Sequence, residues 1–221
     1  MKAVYFTEHG GPEVFKFGEL PEPTPGEGEV KIKVKACALN RLDVYTRAGV
    51  RGTKMDLTEP HVLGADVSGE VVEIGPKVTR ISAGDRVVVN PRITCMQCRY
   101  CQSNQSEYCA SAGMVGSTIS GGYAEYVVVP ATNAFSIPDN LSHVQAASLP
   151  TVFLPSWNIL IRRSQLKPWE IALVPSASSG VGTAAIQVAK NIAKSTVIAT
   201  TSTVEKAEKA SALGADHVIN Y

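Results

Sequence analysis

The densest chemistry in the chain is a set of four cysteines within fifteen residues. Cys95, Cys98, Cys101 and Cys109 read C-x2-C-x2-C-x7-C. Thiolates are soft ligands, and a structural zinc ion takes four such ligands in a closed tetrahedron. Two-residue spacers let a tight turn aim successive sulfurs at one point, and the longer gap brings in the fourth. An iron–sulfur cluster also takes four cysteines. Four protein ligands leave no position for substrate, so the implied role is structural. One Zn2+ bound there would stabilise its segment by roughly 10 kcal/mol, on the scale of zinc-finger peptides. The fifth cysteine, Cys37, lies between Ala36 and Ala38 and reads as a small buried hydrophobe.

A second candidate site is the turn Val174-Pro175-Ser176-Ala177-Ser178-Ser179-Gly180-Val181-Gly182. Small residues let the backbone approach a pyrophosphate, and the helix that follows offers N–H donors and a positive dipole end. Ser178, Ser179, Gly180, Val181 and Gly182 are the predicted contacts, although the strict G-x-G-x-x-G pattern is not met. A plain strand-to-helix turn is the alternative. Sites for NAD carry an acid at the end of the second strand, bonded to the ribose 2′-OH. Here the strand runs into Thr201, Ser202 and Thr203, with Lys206 one turn later. Hydroxyls and an ammonium suit a 2′-phosphate, so the expected cofactor is NADP(H). Alternatively, Thr203 merely caps the next helix.

These residues need elements to position them. Residues 30–36 alternate apolar and charged, the pattern of a half-buried strand. Residues 67–74, 86–89 and 123–129 are further strand candidates among Gly- and Pro-rich turns, which predicts a mostly-β domain over residues 1–140 with the cysteine lobe at 90–112. Residues 141–221 change texture. A helix is expected over 149–161, strands at 171–174, 196–199 and 217–219, and helices over 180–193 and 204–213. That β-α-β-α-β order is one half of a doubly wound parallel sheet. The expected fold class is α/β plus mostly-β, its Rossmann part incomplete, and the 221 residues read as a fragment inactive alone.

Composition narrows the function classes. The chain carries 21 basic and 20 acidic side chains, a net charge of +1, with no basic run to hold nucleic acid. No apolar run approaches the roughly 18–20 residues of a membrane span, and no secretory leader is expected. The expectation is a cytoplasmic protein with neither nucleic-acid nor membrane partners.

Several motifs coincide. They are 11–14 (GPEV), 38–43 (ALNRLD), 63–66 (LGAD), 69–72 (GEVV), 84–87 (GDRV), the four cysteines, 122–126 (GYAEY) and 178–182 (SSGVG). Together the sequence resembles the medium-chain dehydrogenase/reductase superfamily, in its quinone oxidoreductase-like branch with a structural zinc lobe. The resemblance implies a GroES-like β domain followed by a Rossmann domain, and it favours zinc over iron–sulfur for the lobe. In the zinc alcohol dehydrogenases of that superfamily, a Cys, a His and a third ligand hold a catalytic zinc. Asn40 stands in place of the Cys, Ala65 in place of the His with Asp66 beside it, and Thr151 near the third. None of His9, His61, His143 or His217 falls in place, so the resemblance implies no catalytic zinc. Asn40, Asp43 and Tyr45 match the active-site segment of the quinone oxidoreductase-like branch. Asn40 and Asp43 also suit a capped helix start. Lys206 and Tyr221 match residues that hold the adenosine 2′-phosphate end.

The implied reaction is hydride transfer from NADPH to a small carbonyl or quinone substrate, with Tyr45 or Asn40 donating to the developing oxyanion and Asp43 orienting them. A zinc-dependent alcohol dehydrogenase and a non-catalytic NADP-binding protein are the alternatives. The whole protein is expected to be a homo-oligomer.

Overall fold

A computed structural model describes all residues, 1–221, which divide into two compact units, Met1–Pro150 and Thr151–Tyr221.

The first unit is built on antiparallel strands. β1 (Lys2–Phe6) pairs with β2 (Lys16–Glu19) and, after β3 (Glu29–Ala38) and α1 (Arg41–Ala48), with β4 (His61–Val62). β5 (Asp66–Ile74) and β6 (Arg86–Val89) extend a five-stranded sheet. The cysteine lobe follows: β7 (Arg92–Ile93), the short α2 (Arg99–Gln102) and β8 (Gly113–Met114). β9 (Tyr126–Pro130) and β10 (Ala134–Ser136) complete the large sheet in the order β10-β6-β5-β3-β9. Its core is aliphatic and β-branched: Val30, Ile32, Val67, Val71, Val87, Val89, Val115 and Val129 pack together. Stiff β-branched side chains fit this pleated surface. The predicted alternation is present, with Val30 and Ile32 buried and Lys33 and Lys35 exposed. Gly69 on β5 permits close strand approach, because a Cβ there would lie 2.2 Å from the Lys33 carbonyl oxygen.

The second unit holds α4 (Pro150–Trp157, whose first residue belongs to the first unit), β11 (Ile171–Val174), α5 (Gly180–Gln187), β12 (Thr196–Thr201), α6 (Val204–Ala212) and β13 (His217–Asn220). The three strands are parallel, in the order β11-β12-β13. Ala172, Val174, Val197 and Ala199 form its core with Ile186, Ala189 and Ala210 from the helices. This is the β-α-β-α-β unit expected of half a doubly wound sheet. β11 is an edge strand, with Ile171 and Leu173 exposed. No helix is long and apolar enough to cross a membrane.

The structure differs from the sequence reading at four places, one of them the helix expected over 180–193, which is α-helical only to Gln187 and continues as a π-helix, Val188–Ala193. The unit boundary falls after Pro150 rather than 140, because α3 (His143–Ala147) packs on β3 and β5. The strand expected over 123–129 begins at Tyr126. The preceding residues bond elsewhere, Gly121 N–H to Val62 and Tyr123 N–H to Leu63. The helix expected over 149–161 is α-helical only to Trp157 and continues as a wider π-helix, Asn158–Arg163. Pro155 inside α4 supplies no N–H and crowds the preceding turn, which breaks the regular ladder.

Candidate functional site

The cysteine lobe converges on one point. Cys95 ends an extended segment, Cys98 is the N-cap of α2, Cys101 lies on α2, and Cys109 follows a short 3-10 turn, Ser106–Tyr108. The sulfurs of Cys95 and Cys101 are 3.9 Å apart, Cys98 and Cys101 3.6 Å, and Cys95 and Cys109 3.6 Å. All four sulfurs lie within 4.8 Å of one another. A tetrahedron with Zn–S arms of about 2.3 Å has edges of about 3.8 Å, so the set fits zinc. The separations are far beyond a disulfide, and no disulfide is present. Backbone N–H groups of Gln97 and Cys98 draw the Cys95 thiol down to about 6, while desolvation and neighbouring thiols push Cys101 up to about 11. Four thiols this close cannot all ionise without a cation among them, which is the role a divalent metal would fill. Met96, between the first two ligands, takes a positive φ of 58°, so the turn there is tight.

A second polar cluster lies at the start of α1. Asn40 is the N-cap, and its backbone N–H donates to Asp43 Oδ2 at 2.7 Å. Its side-chain amide donates to Asp66 Oδ2 at 2.9 Å. The Tyr123 hydroxyl donates to the same Asp43 Oδ2 at 2.8 Å, and the Gly64 N–H reaches Asp43 Oδ1 at 3.3 Å. Asp43 and Asp66 are both buried, at 6% and 1% exposure. Burial and the charge on Asp43 push the Tyr123 phenol up, so it keeps its proton and acts as a donor. The Cys37 thiol is pushed up to about 12 by burial and then by Asp43 and Asp66, which leaves it protonated and unreactive. Gly64 is required here: with φ at 102°, its Cβ would strike Tyr123 and Cys37.

The sequence grouped Asn40, Asp43 and Tyr45, and the structure joins the first two only. Two residues along a helix turn the side chain by about 200°, so Tyr45 faces away from Asp43. It lies instead beneath Arg51, whose guanidinium carbon is 4.7 Å from the ring centroid. Tyr123 is the member that sequence reasoning missed as a site residue. Its motif, 122–126, was visible, but nothing local tied it to Asp43. A cavity of about 540 Å3 in this unit is bounded by residues 52–61 and 117–120, and neither Asn40 nor Asp43 lines it.

In the second unit the strand-to-helix turn has the form a phosphate requires. Ser176 holds a φ of 51°, a left-handed conformation where glycine would be relaxed. Ser179 caps α5, its hydroxyl oxygen accepting from the Gly182 N–H at 3.0 Å. A Cβ on Gly182 would lie 2.6 Å from the Ser176 carbonyl oxygen, so the close approach needs glycine. The N–H groups of Gly180 and Val181 at the start of α5 remain for an anion. A cavity of about 200 Å3 borders the turn at Pro175, Ser179, Val181 and Gly182. Ser178 is exposed beside it.

The second-strand residues lie at the end of β12, at the start of α6 and just after β13. Lys206 Nζ donates to Ser202 Oγ at 3.2 Å, and the Tyr221 N–H donates to the Thr201 carbonyl at 3.0 Å. Thr203 caps α6 through Lys206 N–H at 3.3 Å, so its capping role is real. Thr201 is buried and its hydroxyl donates to the Thr203 carbonyl at 3.4 Å. Glu205, between Thr203 and Lys206, is paired with Lys209 at 2.8 Å.

Comparison with known proteins agrees with this reading of the fold. Residues 26–139 match the alcohol dehydrogenase GroES-like domain, and residues 180–221 match the zinc-binding dehydrogenase family. The chain is 34% identical, over its full length, to an NAD-dependent alcohol dehydrogenase of Saccharolobus solfataricus, and spans 64% of that protein. It is 32% identical, again over its full length, to a quinone oxidoreductase of Pongo abelii, and spans 59% of it. The crystal structure of an NAD-dependent alcohol dehydrogenase superposes with a TM-score of 0.95 at 43% identity, covering all of this chain and 64% of that one.

Proposed function

This chain belongs to the medium-chain dehydrogenase/reductase superfamily, and from that premise we propose that it forms part of an NADPH-dependent reductase of quinones or α,β-unsaturated carbonyls, with a structural zinc and no catalytic zinc. One observation carries the reading. Where the superfamily's alcohol dehydrogenases place a cysteine and a histidine on zinc, this chain has Asn40 hydrogen-bonded to Asp66, and the methyl of Ala65. An amide bonded to a carboxylate and a methyl group are poor zinc ligands.

When bound, the nicotinamide cofactor supplies the hydride. The chain's own residues bind and orient. Ser179, Gly180, Val181 and Gly182 hold the pyrophosphate on the α5 N-terminus, and Ser202, Lys206 and Tyr221 hold the 2′-phosphate end. Tyr45 is assigned the hydrogen bond to the substrate oxygen, where negative charge develops. Cys95, Cys98, Cys101 and Cys109 hold Zn2+ and keep the lobe folded. Reduced, clustered cysteines accord with a cytoplasmic setting. The substrate is a small molecule, and the whole protein is a homo-oligomer on this reading.

A second reading, zinc-dependent alcohol dehydrogenase using NAD, is favoured by the names of several relatives. The experiment that separates the two is a pair of assays on the intact enzyme: NADPH oxidation with 1,4-benzoquinone and enones, and NAD reduction with simple alcohols. The proposed function expects the first and not the second. The reverse result would give the alcohol dehydrogenase reading first place.

A further inference from the structure

The cysteine lobe joins the large sheet through one buried side chain. Asn133 ends the 3-10 turn Ala131–Asn133 between β9 and β10 and is 6% exposed. Its amide nitrogen donates to the carbonyls of Asn90 and Arg92, each at 2.8 Å, 43 and 41 residues away in the chain. Its own backbone carbonyl accepts from the Asn90 N–H at 2.8 Å. The orientation of the amide follows from these partners. Backbone carbonyls can only accept, so the nitrogen faces them, and the amide oxygen accepts from the Thr132 hydroxyl at 3.4 Å. The clamped residues are those by which the chain enters the lobe. Asn90 follows β6 directly, Arg92 opens β7, and Cys95 lies three residues further on. The Pro91 carbonyl between them takes the N–H of Val115, where the chain returns. The turn carrying Asn133 is held in its turn by the Arg80 guanidinium, which donates to the carbonyls of Ala131 and Ala134 at 3.1 and 2.8 Å.

We infer that Asn133 is a positioning residue for the metal of the lobe. It fixes the strand that leads into Cys95, so the affinity of the four thiols for zinc depends on a side chain that is not one of the ligands. The inference rests on the reading that the four cysteines hold zinc. A loop already held at its base has less freedom to lose when an ion closes it, and that saving appears as metal affinity. The position calls for a neutral group with two donors on one nitrogen. A carboxylate there would oppose two carbonyl oxygens, and an aliphatic side chain would leave both buried carbonyls without this donor. The coupling runs both ways, so a bound ion must in turn steady the Asn133 clamp.

Zinc affinity and metal-free stability, measured side by side on the whole chain, test the coupling. In competition with a chelating dye, Asn133→Ala should bind zinc about tenfold more weakly than wild type, the low end of what partners outside the ligand shell contribute. With cobalt in place of zinc, the variant should keep the thiolate charge-transfer bands of the wild type, because all four ligands remain. Wild-type zinc affinity in a variant whose denaturant midpoint has fallen would overturn the inference and leave Asn133 a residue of the sheet alone. Should Asn133→Ala fail to fold, the wild type decides by itself. Stripping its zinc with a chelator should speed the exchange of the Asn133 side-chain amide protons with solvent, and an unchanged rate would overturn the inference. A wild-type chain that takes up no zinc would remove the zinc reading of the four cysteines, and the inference with it.

Discussion

The cysteine lobe and the Asn40 cluster lie in the same unit and solve opposite problems. In the lobe, four thiol sulfurs lie within 4.8 Å of one another, three of the pairs 3.6–3.9 Å apart. The lobe has short strands and a four-residue helix, and a cation among the thiols would tie these pieces together. At the Asn40 cluster, the carboxylates of Asp43 and Asp66 are met by N–H and O–H donors from Asn40, Gly64 and Tyr123. Hydrogen bonds do there what a metal would do in the lobe. The contrast teaches that a metal requirement is read from whether the protein satisfies its own donor atoms, more than from the family to which the chain belongs.

The sharpest way to break the comparison is to remove a ligand on each side. Cys109→Ser should abolish stoichiometric zinc and unfold residues 90–112, a loss on the order of 10 kcal/mol of metal-linked stability. Elemental analysis and proteolysis of the lobe report it. Asn40→Ala should leave zinc content unchanged in the same assay. Next in size, Tyr123→Phe removes the hydroxyl bound to buried Asp43, and leaving that carboxylate short of a donor costs about 1–3 kcal/mol. A denaturant midpoint that did not move would mean that Asp43 finds another donor.

Much of this was legible in the sequence because it is local. The cysteine spacing fits in fifteen residues, and the alternation over 30–36 and the β-α-β-α-β order each declare themselves within one or two elements. The Asn40 cluster was legible only by half. Asn40 and Asp43 are neighbours on a helix start, but Asn40 meets Asp66 across 26 residues and Asp43 meets Tyr123 across 80. No periodicity encodes such pairs. Tyr45 was misgrouped for the converse reason, since closeness in sequence does not mean a shared helix face. Element ends shifted where tertiary bonds compete, as at residues 121–125, whose N–H groups are claimed by β1 and by residues 62–64.

The second unit provides the milder tests and a control, since no variant there should alter zinc content. Lys206→Ala should weaken NADPH about tenfold and NADH hardly at all, measured by fluorescence titration of the intact enzyme; equal weakening would remove the 2′-phosphate assignment. The smallest effect is expected at Asp216. Lys190 at 2.6 Å, with the Val197 N–H, holds its carboxyl below the ordinary value of 3.8. A depressed folded pKa stabilises above the unfolded value, so the gain is present above about pH 4 and lost as pH falls through the lower, folded value. Both side chains are partly exposed, at 38% for Lys190 and 30% for Asp216, so solvent screening keeps the effect small: Asp216→Asn should lower the thermal midpoint slightly near neutrality, with no difference from wild type in strong acid.

The measurement that bears most directly on the account is zinc per chain in the purified protein. The account predicts one equivalent, lost in Cys109→Ser and retained in Asn40→Ala and Asp66→Asn. Two equivalents, with one lost on substitution of Asn40 or Asp66, would mean that the hydrogen-bonded cluster is a metal site after all.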